Sequence, residues 1–173
     1  MIRQKLMCVL FGVLVISAWV LGSTIQAGAE TMKCRSFETQ TKNDPVAVSD
    51  EAGHVLGVQI NEGLSLFENG EIAKRRCHGI YDTIQGKRGL SIIYSIFTFE
   101  DGSTIVLKYQ QLPITDKSGN LSVETTSDLI KGTGRFEGIK GTASATGKTL
   151  SGSEGEATKF FSDITFTYTL PTK

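Results

Sequence analysis

Two acidic residues stand where a carboxylate could do chemistry. Glu62 sits inside a strand-like run, and Asp163 interrupts a row of threonines in the last apolar segment. A carboxylate turned into a closed apolar space holds its proton to higher pH and can serve as a general acid or base. Turned outward, the same groups are surface charges, and the threonines beside Asp163 favour that reading. Tyr81, Tyr94, Tyr109 and Tyr168 read as core or cavity lining with the hydroxyl at a rim.

The other constellations are weaker. Gly141-Thr-Ala-Ser-Ala-Thr-Gly147-Lys148-Thr149 resembles a phosphate loop only superficially. It carries one residue too many between its glycines, and no helical pattern follows to supply an anion-binding N-terminus. A turn between the last two strands is the plainer expectation. His54 and His78 are the two histidines, and zinc wants three or four ligands at workable spacing. No Gly-x-Ser-x-Gly elbow presents a serine nucleophile. The expectation is therefore no metal and no cofactor.

The N-terminus sets the compartment. Arg3 and Lys5 precede an uncharged apolar run from Leu6 to Gly22, and Ala27-Gly28-Ala29 has the small-x-small form of a cleavage site. Residues 1–29 read as a secretory signal peptide, leaving residues 30–173 as one domain, exported to a periplasm or secreted. An uncleaved anchor is the rival, but the run is short against the about 20 apolar residues of a bilayer span. Stable membrane insertion is not expected after cleavage. The whole chain balances 18 basic against 18 acidic residues, and loss of the leader makes it slightly acidic. That balance argues against a nucleic-acid partner. Lys74-Arg75-Arg76 is no basic patch, because strand alternation sends Arg75 to one face and its neighbours to the other. Cys34 and Cys77 remain after cleavage, and an oxidising compartment favours a disulfide between them; two separate buried thiols are the alternative.

The elements that position these residues are strands. Apolar and polar residues alternate in short runs separated by turn signals, and no helical period appears. Strands are expected at Met32–Thr39, at His54–Ile60 with a break or bulge at Asn61-Glu62-Gly63, and at Leu64–Phe67. Others follow at Ile72–Tyr81, Leu90–Phe99, Thr104–Gln111, Leu121–Ile130 and Lys159–Leu170. Thr41–Ala52, with Asn43-Asp44-Pro45, reads as a loop or an irregular edge. Asn69-Gly70 and Asp101-Gly102 read as hairpin turns with positive φ at both central residues. About eight such strands should curl into a closed antiparallel barrel, which removes exposed edges. A two-sheet sandwich is the alternative.

Lys131-Gly-Thr-Gly-Arg-Phe-Glu-Gly-Ile-Lys-Gly-Thr-Ala143 adds closely spaced glycines among small residues, suited to bent strands in close contact. This segment resembles the late Gly-x-Gly-x-Phe stretch of the allene oxide cyclase and dirigent barrel superfamily, with Gly132, Gly134, Phe136, Gly141 and Ala143 at matching places. Phe67-Glu-Asn-Gly-Glu71, Phe97-Thr-Phe-Glu-Asp-Gly-Ser103 and Tyr168-Thr-Leu-Pro171 are similar to pieces of bacterial exported members without an assigned activity. The resemblance implies an eight-stranded antiparallel barrel with an apolar cavity, often assembled as a homotrimer. The acidic residues that plant members use have no motif to carry them onto this chain.

Three functions compete. The first is a barrel that binds a small apolar or aromatic molecule without transforming it, with Tyr109, Phe160, Ile164, Phe166 and Tyr168 lining the cavity. The second is a cyclase- or isomerase-type enzyme that steers a reactive apolar substrate by shape and exclusion of water. The third is a packed barrel acting as a structural or interaction module. The lack of paired catalytic groups weighs toward the first and against an enzyme.

Overall fold

The computed structural model describes residues 28–84, 89–112, 114–115, 121–150 and 156–172. The strands are β1 (Glu30–Ala47), β2 (His54–Phe67), β3 (Ile72–Ile84), β4 (Leu90–Phe99), β5 (Thr104–Gln111), β6 (Ile114–Thr115), β7 (Leu121–Thr133), β8 (Lys140–Leu150) and β9 (Lys159–Thr169). A 3-10 turn at Gly134–Phe136 joins β7 to β8. Every pairing is antiparallel. β1 pairs β9, and β5 pairs β7, so the sheet closes into an eight-stranded barrel with β6 as a two-residue addition beside β7. The sandwich alternative is thereby excluded.

Alternation decides which residues enter the lumen. Cys34, Ser36 and Glu38 of β1 are buried while Lys33, Arg35 and Phe37 face out. On β3 Arg75 turns in and Lys74 and Arg76 turn out, as alternation requires. Ile105, Leu107 and Tyr109 of β5 are buried, as are Ile164, Phe166 and Tyr168 of β9.

One end of the lumen is packed solid. Phe67, Phe97, Phe99, Phe136 and Phe166 form a connected aromatic cluster with ring centroids 5.0–6.4 Å apart. Burying such rings is worth about 1.5–3 kcal/mol each relative to exposure. The turns at this end share one geometry. Gly70 (φ +88°) and Gly102 (φ +80°) are the left-handed residues of three-residue hairpin loops. Asn69 Oδ1 and Asp101 Oδ1 accept backbone N–H bonds two residues on, at 3.1 and 2.9 Å. Neither Asn69 nor Asp101 has positive φ, so each loop is a type I turn followed by a bulge rather than the expected two-residue turn.

Other boundaries also differ from expectation. β2 runs unbroken through Asn61-Glu62-Gly63, and the extra residue lies opposite, on β1 between Gln40 and Lys42. Of the stretch expected as a loop or an irregular edge, Thr41–Ala47 is strand and takes the edge form. Pro45 is tolerated because the β9 ladder ends at Thr39, leaving β1 without a partner on that side. Gly141–Thr149 is strand β8 rather than a turn. Its inward Ala143 and Ala145 lie opposite Phe166 and Ile164, small against large. The expected leader falls largely on residues 1–27, outside the described residues.

At Gly132, a Cβ would lie 2.1 Å from the Phe136 carbonyl oxygen and 2.7 Å from Ile139 Cγ2. Gly132→Ala is therefore expected to lose about 1–3 kcal/mol through overpacking, measured by urea denaturation. A neutral result would mean that the β7–β8 corner is not closely packed.

Candidate functional site

The charged groups of the lumen meet over a missing side chain. Glu38 of β1, Gly63 of β2 and Arg75 of β3 lie in one register row. Gly63 presents nothing to the interior, so Glu38 Oε1 and Arg75 Nη1 approach to 2.6 Å across it, with both side chains 6% exposed. A Cβ at Gly63 would fall 1.8 Å from the Phe37 carbonyl oxygen.

The pair is held by the surrounding strands. Arg75 Nε donates to Ser95 Oγ at 2.8 Å and Nη1 to Ser162 Oγ at 2.9 Å. The guanidinium also lies 5.1 Å from the Phe97 ring centre, which joins the pair to the aromatic cluster. Cys77 Sγ donates to Ser95 Oγ at 3.3 Å and to Glu38 Oε2 at 3.7 Å. Burial works against the charge on Arg75, but the acidic groups around it, Cys77 and Glu38 foremost, outweigh that effect and hold the proton more firmly than usual. Burial pushes the Cys77 thiol up to about 11 and the Tyr109 phenol well above its ordinary range. Neither gives up its proton near neutrality.

Above this floor is a cavity of about 70 Å³. Its walls include Ile93, Leu107, Tyr109, Phe160 and Ile164, and its polar lining includes Glu38, Asn61, Gln59 and Arg75. Among the described residues, the buried acceptor Asn61 Oδ1 has no hydrogen-bond partner. Glu38 Oε1 is engaged by the Arg75 guanidinium at 2.6 Å. A larger hollow of about 800 Å³ lies on the outer face beside Lys33, Arg35, Glu68, Glu124 and Asp163. That hollow is open and fringed by exposed charges, so the lumen is the stronger candidate.

Tyr109, Phe160 and Ile164 line the cavity as expected, but Phe166 and Tyr168 do not. Phe166 is fully buried in the aromatic cluster, and Tyr168 donates to Glu30 Oε2 at 2.9 Å near the closed end. Glu62 and Asp163 follow the outward reading and not the catalytic one. Both face solvent, paired with Arg76 and Arg35 at 2.9 Å each. The carboxylate that does enter the lumen is Glu38, which the sequence reading did not single out; the signal was the alternation Cys34, Ser36, Glu38, with Lys33, Arg35 and Phe37 on the other face. The disulfide is also corrected. Cys34 and Cys77 are free, buried thiols. Cys34 pairs in register with Phe67 and Cys77 with Asn61. Six residues of β2 separate those positions, roughly 20 Å of strand, far beyond a disulfide's reach.

The histidines hold no metal cluster among the described residues. His78 is exposed. His54 Nδ1 faces Asp50 Oδ1 at 2.6 Å and Nε2 faces Asp82 Oδ1 at 2.9 Å. With an acceptor at each nitrogen, the ring is held as a double donor.

No protein-family model and no curated protein matches the chain. Among solved structures, the pterocarpan synthase dirigent protein GePTS1 superposes with a TM-score of 0.51 at 15% identity, over 86% of this chain and 96% of its own. The chain has the dirigent-like barrel fold. A second pterocarpan synthase dirigent protein, PsPTS1, gives 0.48 at 12% identity over 86% of this chain and 100% of its own. At these identities the shared property is the eight-stranded closure.

Breaking a buried ion pair costs about 3–5 kcal/mol, whereas replacing both partners by apolar groups is often neutral. Arg75→Met alone is therefore expected to lose about that much in urea denaturation, and Glu38→Leu with Arg75→Met to recover most of it. Additive losses would mean that the two charges do not interact. The His54 bonds to Asp82 and Asp50 raise its pKa above 6.5, and the bond to His54 lowers that of Asp50. The stabilisation is complete below the ordinary histidine range and lost as pH rises through the raised value. On the acid side it is lost as pH falls through the lowered value of Asp50. The melting-temperature gap between wild type and His54→Phe should peak at about pH 5–6 and shrink by about pH 9. A gap independent of pH would remove the charged ring from the account.

Proposed function

We propose that the barrel binds a small, mainly apolar or aromatic molecule at its open end without transforming it. The observation that carries this reading is the division of the lumen. One half is filled with phenylalanines, while the other keeps an open space with apolar walls and the unpartnered acceptor Asn61 Oδ1 at its floor. A barrel that served only as a scaffold gains nothing from leaving a buried acceptor unmet.

The size of the cavity narrows the ligand. Drug-sized sites measure about 300–1,000 Å³, and this one is about 70 Å³. A very small molecule fits whole; a larger one inserts a ring or end group and leaves the rest at the mouth. Against chemistry, Glu38 is engaged by Arg75, and the thiol and phenol beside it hold their protons. The second reading, a cyclase-type enzyme that steers a reactive substrate, draws support from the polar side chains facing the space and from the synthase name of the structural neighbour GePTS1. Export belongs to the same proposal. Gly28 and Ala29 precede β1 and are exposed, so cleavage before Glu30 would leave every barrel strand intact. A trimer of such barrels would cover the exposed cross-strand pairs Phe37 with Leu64 and Leu66 with Ile72.

Mass spectrometry of molecules released from protein purified from its native host should find a small apolar or aromatic compound. Ala145→Phe, which pushes a ring into the cavity, should abolish its retention while leaving the fold intact. Release of nothing from the wild type would favour the scaffold reading. Turnover of the released compound by the wild type would favour the enzyme. N-terminal sequencing of the same material should begin at Glu30; a retained leader would contradict export by cleavage.

A further inference from the structure

Resting on the reading that this cavity binds a small molecule, we propose that it selects uncharged ligands that lead with a hydrogen-bond donor, an N–H or a hydroxyl, and rejects anions. The argument starts from what the floor lacks. Asn61 is 6% exposed and Glu38 8%. Asn61 Oδ1 lacks a hydrogen-bond partner, while Glu38 Oε1 is held by Arg75 at 2.6 Å. Asn61 stands two residues from Gly63, the position opposite Glu38, one inward step along the strand, roughly 7 Å. An unmet acceptor on the floor calls for a donor hydrogen.

Charge sharpens the selection. Of the two cations lining the cavity, Arg75 and Lys148, Lys148 is exposed and Arg75 is the buried one on the floor. Its Nε is taken by Ser95, and its Nη1 is taken by Ser162 and lies against Glu38. An arriving carboxylate would meet a guanidinium already neutralised and a second carboxylate beside it. An arriving ammonium would lose its water next to the Arg75 charge without a free counter-ion. A neutral donor meets neither penalty. The volume of about 70 Å³ corresponds to about two water molecules or one small ring. Ile93, Leu107 and Phe160 supply the apolar contact behind the leading group.

Pyrrole and furan test this as a pair: the rings match in size, and only pyrrole donates. Each is titrated into isotope-labelled protein, following the Asn61 side-chain amide and the methyls of Ile93 and Leu107. Pyrrole is expected to bind about tenfold more tightly than furan, the worth of one net hydrogen bond. Asn61→Leu keeps the side-chain volume and removes the acceptor. It should bring the two affinities together without lowering the melting temperature, and acetate should not displace pyrrole. Equal binding of pyrrole and furan to the wild type would overturn the donor selection while leaving the binding reading in place. Displacement of pyrrole by acetate would overturn it in favour of an anion site on Arg75. Binding of neither ring would mean that water alone meets the Asn61 acceptor, and both readings would fall.

Discussion

The ion pair between Glu38 and Arg75 is the constraint around which the lumen is organised. Neither charge survives burial alone; the effective cost is several kcal/mol per ion even after relaxation. Each therefore needs the other, and both need polar neighbours from strands that closure alone can bring close. Ser162 belongs to β9 and Ser95 to β4. Unrolling the sheet between β1 and β9 would strip Arg75 of Ser162. The pair and the barrel thus require one another. Gly63 is the local condition, since any side chain there would occupy the row that the two charges share.

The pair also divides the interior into two regimes. On one side Arg75 lies against Phe97, and the packing continues through Phe67 and Phe166 to the turns. Close packing there fixes the strand ends and leaves no space. On the other side the lining changes to Asn61, Gln59 and Tyr109, side chains that keep polar atoms in the lumen. Apolar side chains would collapse onto one another at that end. A polar group with an unmet acceptor resists such collapse, because closing over it would leave it permanently without a partner. The small volume is thus a consequence of composition at the mouth, and its chemistry is set by the floor.

How much of this could be read from residues alone follows from the range of the forces involved. Alternation is local. It set Arg75 on the face opposite Lys74 and Arg76 and left Asp163 beside threonines that favour solvent. Long-range partners are not local, and nothing in the sequence pattern names Arg76 and Arg35 as the partners of Glu62 and Asp163 across the neighbouring strands. Glu38 passed unnoticed because Phe37, the large apolar residue beside it, faces out at 47% exposure and so inverts the expected hydrophobic face. The cysteine pairing was argued from compartment, which says nothing of register. Asn43-Asp44-Pro45 read as a loop or an irregular edge because those residues end strands when both sides are paired, and β1 has one side free there.

The most direct test is the state of the Arg75 guanidinium in solution. Nitrogen-detected magnetic resonance at neutral pH should find its Nε–H and Nη protons as separate signals that exchange slowly with water, shifted by the Phe97 ring and dependent on Glu38. A single averaged signal exchanging as fast as that of a surface arginine would place the charge outside the lumen. The divided barrel and the selective floor would then have no physical basis.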